Sequence, residues 1–476
     1  MKLFKIRHII TCMAIAGLAL QSCNKLDLKP TDTIDPEKAY RNLNDIDMAI
    51  KGAYAGMTYT LISNSVTVSD EAILPAENVV SNTSAYRWQY NSASSTVTSS
   101  FGELYVVIDR ANRALAGLEL LNNVDVQKKN HFKGELLAIR AYAHLELLRA
   151  FSAGYAPTAL AIPYMLKAET GSPKRNTVQE VIAFLNTDLN DALALIGDTD
   201  AGVKRITKTG VYAIQARTAL YAQDWDKAIA AATAAIQAKP LASAANFAKI
   251  WTDASEQEVI FALGRKVADL PVDDDDTREG PIGAVFYRQS GDYALYTPSN
   301  KLMNLYDKDN DVRFASYVSY EPDRGAGKES YLIGKYKGRS EDTFGLVNIK
   351  LFRTGEMYLI RAEAYAQKDK LAEAAADLND LRSARIDGYQ SETFAGKEPL
   401  INAIFTERYK ELAFEGHRFF DLKRRNVAIE RSALDAVNTN GNLRLEPTKA
   451  QYNFPIPAVE MSVNKAMQQN PGYGKD

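Results

Sequence analysis

The sequence predicts a mainly α protein, with paired helices as a scaffold and a loop-rich, short-strand region beside them. Three observations predict it. Apolar residues recur at helical spacing through long segments from residue 36 to residue 425. Two of the helix pairs resemble each other, LYAQDWDKAIAAATAAIQ at 220–237 and AYAQKDKLAEAAADLNDLR at 364–382, with one inserted residue. Two long segments, 78–100 and 267–298, are rich in Ser, Thr, Asn, Gly and Tyr and lack helical periodicity. With 476 residues, 46% of them hydrophobic and 24% charged, the chain can bury a large core without disulfides or metals.

The first element is a targeting segment. Lys2, Lys5 and Arg7 precede a short apolar run, Ile9 to Leu20, which is too short to span a bilayer and reads as a secretory signal over residues 1–22. Of the two cysteines, Cys12 lies inside that signal, so the mature chain keeps Cys23 alone and has no intrachain disulfide. Leu20-Gln21-Ser22-Cys23 resembles a bacterial lipobox, which implies lipidation of Cys23 and a stable membrane anchor. Loss of residues 1–22 takes the net charge from −2 to −5, a balance that argues against a nucleic-acid partner. Residues 23–35 are polar and read as a tether.

Helices are expected over 36–57, 101–121, 133–151, 177–196, 209–222, 226–238, 356–367 and 371–385. The small residues, tight polar turns and Ala-rich spacing of the later pairs resemble tetratricopeptide repeats (TPR). The two similar copies stand about 145 residues apart, so they form no continuous tandem array in the sequence.

The densest stretch is NAIFTERYKELAFEGHRFFDLKRR at 402–425. Its four-residue spacing places Glu407, Glu411 and Glu415 on one helix face, lets Arg408 pair with Glu411, and makes Gly416 a natural helix stop. His417 and Arg418 then fall near the negative end of the helix dipole, and a second short helix starts at Phe419. Carboxylates beside a histidine also raise a hydrolase reading on Glu411, Glu415 and His417. No nucleophile elbow, metal-ligand pair or phosphate loop accompanies them, and the structural reading is preferred: no catalytic residue, metal or cofactor is expected. Asp273 to Asp276 reads as a solvated turn rather than a calcium loop.

The segment ERYKELAFEGHRFFDLKR resembles the C-terminal signature of the SusD/RagB family of nutrient-binding surface lipoproteins. FGELYVVIDRANRAL, GELLAIRAYAHLELLRAFSAGY, EVIFAL, YTPSNKLMNLYDKDNDVR and YNFPIPAVEMSVNKAMQQNPGY resemble further family segments in order. The resemblance implies an N-terminal region (36–260) with TPR-like pairs, a C-terminal SusD/RagB-like region (261–476) and no catalysis. It also implies outer-membrane attachment facing the cell surface, and a SusC-like TonB-dependent transporter as partner. Cargo is glycan, or oligopeptide as in RagB-like members; a third reading is an envelope scaffold that binds no small ligand.

Sugar rings need flat aromatic faces, and their hydroxyls need Asn, Asp or Arg groups. Tyr86, Arg87, Trp88 and Tyr90, flanked by Asn82 and Asn91, offer that mixture. On a strand, residues 86, 88 and 90 would share one face, turned either to ligand or to the core. The second candidate loop supplies Tyr287, Arg288 and Tyr293 beside Phe286, while Trp225 and Trp251 are expected to be packing residues.

Overall fold

A computed structural model describes residues 39–78, 82–197, 202–269, 280–288, 292–340 and 343–474. The signal, Cys23, the tether and Asp273 to Asp276 lie outside the described residues. The order is α1 (Leu43–Ala55), α2 (Thr60–Val68), α3 (Ser95–Leu120), α4 (Val126–Phe151), α5 (Val178–Leu195), α6 (Lys208–Ala222) and α7 (Trp225–Ala238). Then follow β1 (Val259–Leu263), β2 (Ile349–Arg353), α8 (Thr354–Gln367), α9 (Leu371–Ser383), α10 (Lys397–Glu411) and α11 (Arg418–Arg424), with shorter pieces between them. No helix among the described residues is long and apolar enough to cross a membrane.

Local signals start α5, α6 and α7 within a residue of where the pattern expects them, whereas α3 begins at Ser95, inside the segment expected to lack helix, α4 begins at Val126, seven residues early, and α2 was not expected. Thr177 and Glu180 close a reciprocal capping box on α5, and Asp125, Thr207 and Asp224 accept backbone N–H groups at the starts of α4, α6 and α7. α4 is buried on every side from Gly134 to Phe151 and forms the central rod. Its buried charges are therefore paired: Arg140 with Asp188 through two bonds of 2.8 and 2.7 Å, Glu135 with Arg205, and Glu146 with Arg149 and Arg217.

The separated copies meet in space. α7 packs on α6 and on α8, and α8 packs on α9 and α10, so the pairs split by more than a hundred residues stack as consecutive repeats. The intervening chain leaves and returns through β1 and β2, which pair antiparallel with Val259 opposite Arg353 and Leu263 opposite Ile349. This ribbon spans residue 260, the expected boundary between the two regions. Phe261 and Phe352 enter one core with Tyr54 and Tyr142, and Arg217 lies 3.7 Å over the Phe352 ring.

Candidate ligand-binding face

The 402–425 stretch positions the loops. α10 ends at Glu411, earlier than the expected stop at Gly416, and both Phe414 (φ 64°) and Gly416 (φ 79°) take left-handed backbone. The turn aims Glu411 and Glu415 at different cations. Glu411 accepts from Arg313 (3.1 Å), Arg353 (2.9 Å) and Arg385 (3.0 Å), while Glu415 accepts from Arg353 (2.7 Å) and Lys335 (2.6 Å). Arg408 bonds Asp421 at 3.1 Å rather than Glu411, because three other arginines already surround that carboxylate. Burial opposes charge on Glu407, yet Arg313, Lys410 and Arg382 outweigh it and pull its carboxyl down to about 2. Glu411 is likewise held well below the usual range by Arg385, Arg353 and Arg313 against its burial. His417 is buried 3.9 Å from Glu356, and burial with Arg217 and Arg149 keeps it neutral. Carboxylates locked as arginine acceptors suit cross-linking, whereas acid catalysis needs a proton held near neutral pH.

The same stretch clamps the root of both loops. Arg418 grips Asp70 with bonds of 2.7 and 2.8 Å, Tyr409 donates to the Asp70 carbonyl, and Phe414 N–H donates to Glu71 at 2.7 Å. Directly after this clamp, Ala72–Ile73 pairs with Thr297–Pro298, so the two candidate loops leave from one bridge. Asn78 and Asn82 then bond the Leu295 carbonyl and the Tyr296 hydroxyl.

The side chains of the first loop go inward. No strand forms over 86–90; Thr83–Tyr86 is a single helical turn and Trp88 has φ 55°. Tyr86 (0% exposed), Trp88 (7%) and Tyr90 (1%) cover the core, which is the second of the two readings their spacing left open. Arg431 explains the inward turn: its guanidinium lies 3.8 Å over Tyr86 and 4.1 Å over Trp88, and Trp88 Nε1 donates to the Val68 carbonyl. Tyr90 bonds the Gln451 carbonyl, and Arg87, half-buried, donates to the Asn438 carbonyl at 2.7 Å. These carbonyl acceptors lie in distant sequence and carry no local signal. Trp251 is buried as expected, and Trp225 is only half-buried.

The second loop keeps an outward face. Tyr293 is 51% exposed, with Lys328 Nζ 4.9 Å over its ring. The Tyr287 ring is buried and its hydroxyl bonds Glu321, and Arg288 bridges Asp292 (3.0 Å) and Glu321 (3.2 Å). Sequence reasoning missed the hairpin that completes this face. Val318–Tyr320 pairs with Tyr331–Ile333, which sets Tyr320 (62% exposed) directly across from Tyr331 with ring centroids 4.9 Å apart. Arg324 joins hairpin and loops, meeting Glu77 at 2.9 and 2.8 Å and Asp292 at 3.3 Å. The available signal was the turn-rich run EPDRGAGKES between two tyrosines, a hairpin pattern. The face thus presents exposed aromatic rings among charged groups fixed by one another.

Comparison with known proteins matches the described "SusD family" over residues 317–473 and a "starch-binding associating with outer membrane" family over 26–220. SusD-like protein P38 of Formosa agariphila is 24% identical over 500 residues, covering 90% of this chain and 93% of that one. The starch-binding protein SusD of Bacteroides thetaiotaomicron is 30% identical over 135 residues, 28% of this chain and 23% of that one. Among solved structures, a SusD superfamily protein from Bacteroides thetaiotaomicron superposes with TM-score 0.78 at 23% identity, over 90% of this chain and all of that one. A putative sugar binding protein from Bacteroides vulgatus superposes with TM-score 0.76 at 25% identity, over 91% and 99%.

Proposed function

Because this chain is a SusD-like protein, we propose that it is an outer-membrane lipoprotein that captures glycan on the face of Tyr293, Tyr320 and Tyr331 and delivers it to a SusC-like TonB-dependent transporter. The observation that carries the reading is the exposed Tyr320 ring, backed by the half-buried Tyr331, on a hairpin tied to both loops by Arg324, Glu77 and Asp292. Aromatic rings fixed before the ligand arrives stack on the apolar side of a sugar without first losing conformational freedom. Arg288, Lys328 and Glu321 border the rings and supply donors and acceptors for hydroxyl groups. The names of the starch-binding and sugar-binding relatives support a saccharide over a peptide. Anchoring through Cys23 places the protein at the membrane where a transporter would receive the cargo.

Titration calorimetry of the protein beginning after Cys23, against neutral polysaccharides, oligosaccharides and then mixed oligopeptides, tests this. Saturable glycan binding weakened about tenfold in Tyr320→Ala or Tyr293→Ala is expected for aromatic anchors at the centre of a site. Binding of peptides alone would transfer the cargo assignment to oligopeptides. No saturable ligand at all would leave the scaffold reading. Isolation of membranes carrying the full-length protein should co-purify a large β-barrel partner, and Cys23→Ser should release the protein from the membrane fraction.

A further inference from the structure

Away from the loop face, two adjoining cavities of about 370 and 890 Å³ open beside the stacked helix pairs and share Tyr155, Gln223 and Arg424 in their walls. Together they form a groove between the α6–α7 turn, α8, α11 and the 153–157 turn. Each cavity taken singly lies in the volume range of small-ligand sites, and the groove's position is independent of the Tyr293–Tyr320 face.

The charges in this groove do not balance locally. Arg424 is satisfied: it holds Glu363 through two bonds and Asp421 at 2.8 Å. Its neighbour Arg425 has no hydrogen bond or ion pair among the described residues, and its guanidinium stacks 4.3 Å over Phe405 while lining the groove. Glu363, Asp421 and Glu398 act on it only through space, so this half-buried guanidinium has lost hydration and gained no hydrogen bond in exchange. Burial accordingly pulls the Arg425 pKa down, the direction that an incoming anion reverses. The buried Lys423 lies on the adjoining wall and donates to the Ser152 carbonyl at 2.8 Å, with burial and then Arg175 pulling its ammonium down to about 7.

The rest of the wall is sugar-reading chemistry. Trp225, the first residue of α7, is half-buried and lines the groove, as does Tyr155, whose hydroxyl bonds the Arg149 carbonyl. The Gln223 and Gln367 carboxamides line the same space and make no side-chain hydrogen bond to described residues. An aromatic plate, two carboxamides and one guanidinium with free hydrogen-bond donors match a pyranose ring bearing a carboxylate. We propose that this groove is a second binding site, taking an acidic saccharide whose uronate carboxylate pairs with Arg425 and whose ring stacks on Trp225.

Calorimetry on the protein beginning after Cys23 tests it with trigalacturonate and with its methyl ester, a neutral molecule of the same shape. The acid should bind, the ester should bind at least tenfold more weakly, and affinity for the acid should fall with added salt. Arg425→Gln should cost about tenfold in affinity for the acid, the scale of a lost charge-assisted hydrogen bond. Arg425→Lys should keep most of the affinity, Trp225→Ala should lose it, and Tyr320→Ala on the other face should leave it unchanged. Matching melting temperatures of Arg425→Gln and the parent protein show that the change is local. Equal binding of acid and ester, an unaltered Arg425→Gln, loss in Tyr320→Ala instead, or no heat from trigalacturonate would each overturn the proposal. The loop-face reading, tested with neutral glycans, survives any of these.

Discussion

Glu411→Gln tests whether the 402–425 stretch holds the fold together. Five buried carboxylates, Glu258, Asp311, Glu407, Glu411 and Glu415, are balanced by Arg313, Arg353, Arg385, Lys335 and Lys410. Every one of these groups is at most 7% exposed except Glu415 at 8%. The substitution keeps the shape, removes one negative charge, and turns an amide N–H₂ toward a guanidinium. Breaking one partner out of a buried ion network costs about 3–5 kcal/mol, because the remaining charge stays buried and unbalanced. At ~2.1 cal/mol/K per residue, a folded chain of this size has an unfolding entropy of ~0.9 kcal/mol/K, so the melting temperature should fall by about 4 °C. Differential scanning calorimetry at pH 7 measures it, with the exposed Glu398→Gln as the control. A Glu411→Gln protein melting within about 1 °C of that control would refute the cross-linking argument.

The remaining expectations use the same methods. Trp88→Ala should lose about 3–5 kcal/mol of stability through the cavity left beside Arg431, while glycan affinity of the folded fraction stays at the parent value. Gly416→Ala should cost about 1–2 kcal/mol for its φ of 79° alone, and more because the new Cβ would lie 3.0 Å from Ile62 Cα; denaturant melts report it. Burial raises the Glu71 carboxyl to about 7, so the folded chain keeps a proton that the unfolded chain releases near 4.5. That contribution is complete below about 4.5 and is lost as pH rises through about 7, a span worth about 3 kcal/mol that Glu71→Gln should flatten in urea titrations. Asp70, Glu407 and Asp421 act oppositely. Burial resists their ionisation but arginine partners pull each to about 2, so their stabilisation is present above about 4 and disappears as pH falls toward 2, visible as a steep acid transition.

Much of the helical architecture was legible because helix formation is local. Thr177 with Glu180, Asp224 before Trp225, and the Ala-rich spacing of 226–238 and 371–385 each act within a few residues of themselves. The 402–425 stretch was legible as a cross-linker for a related reason: so many charges beside Phe419, Phe420 and Leu422 can be buried only as pairs. Which charges pair was not legible. Arg408 chose Asp421 because Arg313, Arg353 and Arg385 arrive at Glu411 from sequence 26 to 98 residues away.

By itself, the sequence determined most of the helices, the repeat-like pairs and the clustering of charge near residue 411. Only the tertiary structure decided that pairs at 208–238 and 354–383 stack as neighbours, because β1 and β2 return the chain to where it left. It also decided which aromatic residues face solvent. Tyr86, Trp88 and Tyr90 look like a sugar platform in the sequence, but Arg431 and the carbonyls of Val68 and Gln451 draw them inward. Tyr320 stays outside because it stands at the end of a hairpin whose Val318, Ile333 and half-buried Tyr331 pack on the core while Arg324 ties its turn to the loops. A loop side chain goes where its distant partners stand, and that information is spread over the whole chain rather than carried in any window of it.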